Sequence, residues 1–253
     1  MHMNAQGPSA DEVRAATRRG PSKIVLVLAG LAGVAVVTVL VLRLFIFGFY
    51  VVPSGSMIPA LQPGDRVTVN RVAGAPQRGD ILVFEFPENP KQDFVKRVIA
   101  LAGDKLEIKE GHTVLNGWQA PSCLVGKYSY DERYDNGGPG VRHVGDVFVE
   151  YLDAAAYLIF LDTSGALFSE SQGPYVVSAT EIMVLGDNRN NSHDSRMWFG
   201  GHGGGVPPAN IHGKVIGRDV PTLPDSMADL KGGFDACKAT APPRESTTPP
   251  PAR

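Results

Sequence analysis

The sequence predicts a mainly β protein carried behind one N-terminal membrane-spanning helix. Residues 24–42 are nineteen consecutive positions without a charge, mostly Val, Leu, Ala and Gly, and a span needs about 20 apolar residues. Beyond them the chain breaks into short alternating runs separated by Gly, Pro, Asn and Asp, the pattern of half-buried strands. With 253 residues, 43% hydrophobic and 8% aromatic, it can bury a core in one domain bearing an insert.

Residues 1–23 form a polar tail in which Arg14, Arg18, Arg19 and Lys23 precede the apolar run. Basic residues beside a span stay in the cytoplasm, so the rest of the chain is expected to face outward. Residues 24–47 are the expected anchor. A buried core helix of this length and all-round apolarity does not suit so small a domain. A cleaved secretory signal would be shorter and end at a small-x-small site, whereas this run passes into Phe47, Phe49 and Tyr50, as a retained anchor does at the interface.

The body is read as strands at residues 66–70, 80–86, 94–101, 105–109, 147–152, 157–161 and 175–177. Turn signals separate them: Pro63-Gly64-Asp65, Arg78-Gly79-Asp80, Ala102-Gly103-Asp104, Asn116-Gly117 and Gly186-Asp187-Asn188. The polar stretch 118–145 and the Gly-rich stretch 200–208 read as surface loops. Residues 241–253 hold five prolines and no apolar run, a composition that predicts disorder.

Charge narrows the function classes. The whole chain carries −2, and residues 44–253 hold 19 basic against 24 acidic residues, which gives no footprint for nucleic acid and no polybasic membrane surface. Cys123 and Cys237 are too few for a disulfide scaffold and lack zinc-site spacing. A bond between them is permissible outside the cytoplasm, and the sequence leaves the pairing open.

Three islands could carry chemistry: Pro53-Ser54-Gly55-Ser56-Met57-Ile58-Pro59, the run from Phe94 to Leu101, and GDNRNNSHDSR from Gly186 to Arg196. Taken singly, they read as a turn, a core strand with a snorkelling lysine, and an Asx-rich loop. Alternation on a strand puts Lys96 with Phe94, Val98 and Ala100, and Arg97 with Val95 and Ile99. A lysine desolvated in this way loses its proton more easily and can act as a base near neutral pH, which a guanidinium cannot. Lys96 is therefore the candidate base, with Ser56 or Ser54 as nucleophile.

The spaced motifs Ser-Gly-Ser-Met-x-Pro, Leu61-Gln62-Pro63-Gly64-Asp65, Arg78-Gly79-Asp80, Lys96-Arg97-Val98 and Gly-Asp-Asn-Arg-x-x-Ser-x-Asp-Ser-Arg resemble, in the same order, those of type I signal peptidases. These are membrane-anchored Ser/Lys endopeptidases that remove signal peptides from exported proteins. The resemblance covers the anchor and most of residues 45–220. It implies Ser56 as nucleophile, Lys96 as base, Ser192 as the group orienting the amine, and the Ser56 N–H with the Ser54 hydroxyl as oxyanion donors. It makes Asp187, Asp194 and Arg196 supporting residues, and places Tyr50, Val52, Met57, Leu61, Phe94 and Val95 around pockets for small substrate residues. The peptide would bind in extended form by strand addition.

The implied layout is a β-rich catalytic domain over residues 48–117 and 182–220, a variable β-rich insert at 118–181 and a C-terminal tail from 221. The implied partners are signal peptides and membrane lipid, without nucleic acid, metal or organic cofactor, and a monomer is the expected state. The implied location is the cell membrane, single-pass, with the body on the periplasmic or extracellular side. Ser56 lies nine positions after Phe47, which keeps the nucleophile near the bilayer surface. Ala60, Ala102 and Asn190 depart from the usual pattern at positions that are not catalytic.

Two rival enzymes and one rival class are weaker. A Ser-His-Asp hydrolase could use His193 beside Asp194, with His202-Gly203-Gly204-Gly205 imitating an oxyanion loop, but no G-x-S-x-G motif occurs. A metal site from Asp187, His193 and Asp194 would ask neighbouring residues to converge on one ion. A membrane-anchored β-domain that binds extended peptides without cutting them would not require a lysine flanked by apolar residues.

Overall fold

Helix α1 spans Lys23–Ile46. At 1.5 Å per residue it is roughly 36 Å long, against about 30 Å of bilayer hydrocarbon. Its side chains are exposed from Ile24 through Phe45, an apolar surface all round that suits lipid and not water. The computed structural model describes residues 22–132, 140–164, 171–217 and 221–251, and the chain divides into two units, Met1–Ile46 and Phe47–Arg253. The expected cytoplasmic tail, with Arg14, Arg18 and Arg19, lies outside the described residues.

The second unit is built almost wholly of strands, numbered in chain order. They are β1 Phe47–Val51, β2 Arg66–Asn70, β3 Ile81–Phe86, β4 Asn89–Ala100, β5 Lys105–Lys109, β6 His112–Leu115 and β7 Trp118–Gln119. There follow β8 Ser122–Glu132, β9 Val141–Leu152, β10 Ala155–Asp162, β11 Gln172–Val176, β12 Met183–Leu185 and β13 Ile211–Val215. A six-stranded sheet runs β1-β2-β13-β3-β4-β12, a three-stranded sheet β10-β9-β8, and a four-stranded sheet β11-β5-β6-β7. A helix, α2, follows at Lys231–Ala239.

Alternation explains the shorter strands. In β2, Val67 and Val69 point into a core with Val52, Met57, Leu61, Ile81, Val83 and Val215, while Arg66 faces out. In β5, Leu106 and Ile108 are buried between exposed lysines at both ends. Gly79 takes a φ of +91° between Arg78 and Asp80, and a Cβ there would run into that of Ala155. The turn thus needs glycine on both counts.

Two expectations are corrected. Residues 118–145 are not a surface loop over their described part, because β7, β8 and the start of β9 occupy them, with Ser122 to Glu132 paired antiparallel to residues 141–150. Their polar composition reflects a sheet with one wet face, where only one side need be apolar. Nor are residues 241–251 free of structure. Thr247 is buried, its N–H donates to the Arg244 carbonyl at 3.2 Å, and its hydroxyl donates to the Asp153 carbonyl at 2.6 Å while its own carbonyl accepts from the Asp153 N–H at 2.7 Å. Asn116 Nδ2 donates to the Pro250 carbonyl at 2.7 Å. Proline-rich chain cannot join a ladder, but it can lie as a strap held by its carbonyls.

The pairing that the sequence left open is made. Cys123 on β8 and Cys237 on α2 are joined by a disulfide, with Cα atoms 5.7 Å apart. They belong to a core in which Met227, Phe234 and Cys237 pack with Ile58, Val125, Val147, Val149, Tyr151, Leu158 and Phe160.

Candidate active site

Ser56 sits in a single 3-10 turn, Gly55–Met57, which Ser54 enters in extended conformation. The following Ile58 and the preceding Val52 are both buried, so the turn is pinned on either side by core residues. Lys96 comes from β4, where it pairs with Leu82 of β3. Its Nζ donates to Ser56 Oγ at 2.8 Å and to the Val95 carbonyl at 2.9 Å, and it lies 5.1 Å from the centre of the Phe94 ring. Forty residues apart in sequence, the two groups are in direct contact.

Lys96 is only 5% exposed. Burial pulls its pKa from 10.5 down to about 8, against the opposing charges of Asp194 and Asp187. Desolvation wins because neither carboxylate pairs with the amine. Asp187 takes both its short bonds from Arg97, at 2.7 and 2.6 Å, and Asp194 takes 2.8 Å bonds from two nitrogens of Arg196 and one of 2.9 Å from the Gly186 N–H. Burial would raise the Asp194 carboxyl, but Arg196 and that N–H hold it below the usual carboxylate range. Neighbouring Ser54 Oγ is exposed and lies 3.3 Å from Ser56 Oγ.

The loop that follows β12 locks onto this centre by its backbone. Asn188 donates from its N–H to the Ser56 carbonyl at 3.1 Å and from Nδ2 to the Gly55 carbonyl at 3.1 Å. Gly186 lies so close that a Cβ would strike Ser192 and the Ser56 carbonyl oxygen. Ser192 Oγ is buried without a hydrogen bond of good geometry, though near enough to Asp194 to help keep that carboxylate charged. The amine's bonds go to Ser56 and Val95 and not to Ser192.

A cleft of about 260 Å³ opens over the pair, lined by Pro53 to Ser56, Asp93 to Lys96, Glu132, Asn191 and His193. Phe94 and Val95 line it. Tyr50, Val52, Met57 and Leu61 do not: Val52, Met57 and Leu61 are core residues beneath β2 and β3, with Tyr50 packed against them. His193 lines the cleft in T-shaped contact with Phe86 and Phe94, and the group bonded to Ser56 Oγ is the Lys96 amine, where a Ser-His-Asp hydrolase would have an imidazole.

β12 pairs with β4 at Arg97, Val98 and Ala100. Among the described residues no strand pairs with β4 on that side at 93–95, so a short edge is left open beside Ser56. Sequence reasoning gave no role to Asn188 or Asn191, although both lie inside the GDNRNNSHDSR island. Tyr130 and Glu132 were hidden in a stretch read as loop, and no sequence signal marks them.

The family model described as signal peptidase, peptidase S26, matches residues 25–218. Signal peptidase I of Pseudomonas aeruginosa is 34% identical over 199 residues, covering 70% of this chain and 66% of that protein. For signal peptidase I of Aquifex aeolicus the figures are 33% over 224 residues, 77% of this chain and 85% of that protein. Signal peptidase I of Bacillus caldolyticus is 36% identical over 191 residues, covering 74% and 87%. With a family model matched over most of its length and relatives above 30% identity, this chain belongs to the signal peptidase family, peptidase S26.

Proposed function

We propose that the protein is a membrane-anchored serine endopeptidase that removes N-terminal signal peptides from exported preproteins after small-x-small sites. The observation that carries this reading is the 2.8 Å contact between a buried lysine amine and a serine hydroxyl, with the amine's pKa drawn to about 8. A domain that only binds peptides needs no such pair.

The chemistry runs through Ser56 and Lys96. The neutral amine takes the Ser56 proton as Oγ attacks the scissile carbonyl carbon. The negative oxygen that forms is held by the Ser56 N–H and the Ser54 hydroxyl, each donor worth about 2.7–4 kcal/mol in comparable sites. The Lys96 ammonium then protonates the leaving amine, and a water deprotonated by the same amine releases the signal peptide from Ser56. Asp187 ties the loop to Arg97 beside the base, and Asp194 with Arg196 braces the loop itself. The peptide lies extended along the open edge of β4, where backbone bonds supply affinity and Phe94 and Val95 meet side chains.

Helix α1 anchors the protein in the cell membrane, with the N-terminus cytoplasmic and the body in the periplasm or outside the cell. The bond between Cys123 and Cys237 supports that side, because disulfides persist in oxidising compartments. The test is cleavage of a preprotein with a small-x-small site by the purified chain in detergent, beside Ser56→Ala and Lys96→Ala. Cutting by wild type alone supports the dyad. Folded protein that binds the signal peptide but never cuts it would favour a binding module.

A further inference from the structure

A trans peptide unit points its C=O and its N–H in opposite directions, so whatever grips one end aims the other. The unit joining Gly55 to Ser56 ends in the N–H that the reaction above uses as oxyanion donor. Its carbonyl end, on Gly55, accepts from the Ile58 N–H of the turn at 3.1 Å and, from outside the turn, from Asn188 Nδ2 at 3.1 Å. The next carbonyl, on Ser56, accepts from the Asn188 N–H at 3.1 Å. One fully buried residue thus holds the peptides on both sides of the nucleophile.

Asn188 is itself held from a different sheet. Its Nδ2 also donates to the phenol oxygen of Tyr130 at 2.7 Å, and Asn191 Nδ2 donates to the same oxygen at 3.3 Å. The Tyr130 ring is fixed independently of its hydroxyl, stacked on His143 at 4.7 Å between centroids and edge-on to Phe160 at 5.7 Å. Burial pushes the phenol's pKa up from 10, with the asparagine bonds acting the other way, so the group stays neutral at working pH.

We infer that Tyr130 and Asn188 are positioning residues for catalysis: Tyr130 on β8 orients the Asn188 amide, which aims the Ser56 N–H at the oxyanion. This rests on the Ser/Lys peptidase reading. It gives the strand 122–132 a part in the reaction although none of its side chains reacts. Gripping the carbonyl also polarises the peptide unit and strengthens its N–H as a donor.

The experiment compares wild type, Tyr130→Phe, Asn188→Ala and the double variant of the full chain in detergent, cutting a preprotein with a small-x-small site. Asn188→Ala should lower kcat by about 10²-fold, the scale of a lost oxyanion donor, and Tyr130→Phe by about tenfold, with KM within about twofold. Because Tyr130 works through Asn188, the double variant should be no slower than Asn188→Ala alone. The acid limb of kcat/KM should stay at its wild-type pH, since the base is untouched.

Tyr130→Phe keeps the ring and its stacking, so it carries the test if Asn188→Ala does not fold. A kcat unchanged in Tyr130→Phe, a loss confined to KM, or an acid limb that moves would each overturn the inference. A wild type that fails to cut, or a Ser56→Ala variant that still cuts, would instead bring down the peptidase reading and this inference with it.

Discussion

Arg97 follows Lys96 on β4, and its guanidinium meets both oxygens of Asp187 at 2.7 and 2.6 Å. The strand that carries the base is thereby fastened to the loop that carries Asn188. Arg97 also donates to the Gly79 carbonyl at 2.7 Å and stacks over Tyr157 at 4.4 Å, so the pair is buried and each of the three guanidinium nitrogens donates a bond.

Asp187→Ala would leave that guanidinium buried and unpaired. Thermal or urea unfolding should register a loss of about 3–5 kcal/mol. Asp187 also raises the Lys96 pKa, so in any fraction that folds the acid limb of activity should move to lower pH. A limb that moved upward would mean that Asp187 does not favour the Lys96 ammonium.

The pH dependence of wild type follows from Lys96. With the amine at about 8, kcat/KM should climb roughly tenfold per pH unit below that value and level off above it. His193→Ala should leave the limb in place. Stability has a definite sign too, since the folded pKa lies below the unfolded 10.5. The unfolded chain binds more protons between the two values, so stability rises with pH from about 8 to 10.5, and the cost of burying the cation is felt in full below about 8. Lys96→Met should accordingly be inactive yet, near pH 7, more stable by something on the order of 1–3 kcal/mol. Equal or lower stability in calorimetry would count against a strongly desolvated lysine.

Gly186→Ala should be disproportionately damaging for one methyl group. The added carbon would collide with Ser192 and the Ser56 carbonyl oxygen, and an overpacked site of this kind costs about 1–3 kcal/mol. The displaced atom belongs to the nucleophile, so cleavage should fall further than the melting temperature suggests. An active, normally stable alanine variant would show that the loop can yield there.

Cys123 and Cys237 are 114 positions apart, a long loop to close. The Cys123→Ser, Cys237→Ser double variant, or reduction of wild type, should cost about 2–5 kcal/mol in urea unfolding. No change in the midpoint on reduction would mean that the bond contributes nothing to the fold.

Much of this was legible in the residues because local rules agreed with the fold. Alternation marked residues 66–70 and 105–109 as strands with the bounds they have, and the contact of Lys96 with Ser56 joins two islands that each looked ordinary. What was not legible shares one cause, which is that residue type does not say what lies on the other side. Met57 and Leu61 pack with Val67, Val69 and Ile81, neighbours that their residue types do not announce. Tyr130 sits in a polar run because β8 has one wet face, and nothing in that run points to Asn188, 58 positions away. Proline content at 242–251 hid the carbonyls of Thr247 and Pro250 that tie the strap down.

The core shared by Ile58, Phe160, Met227, Phe234 and Cys237 also makes the site depend on residues far from it in sequence. Ile58 stands two positions after Ser56, and Phe160 exchanges backbone bonds with the loop, accepting from the Arg189 N–H and donating to the Asp187 carbonyl. Met227, Phe234 and Cys237 come from the segment that follows the last strand, Ile211–Val215. Without them the floor beneath both the Ser56 turn and the loop is incomplete. A chain cut off before Met227 would therefore carry Ser56 and Lys96 without a finished site.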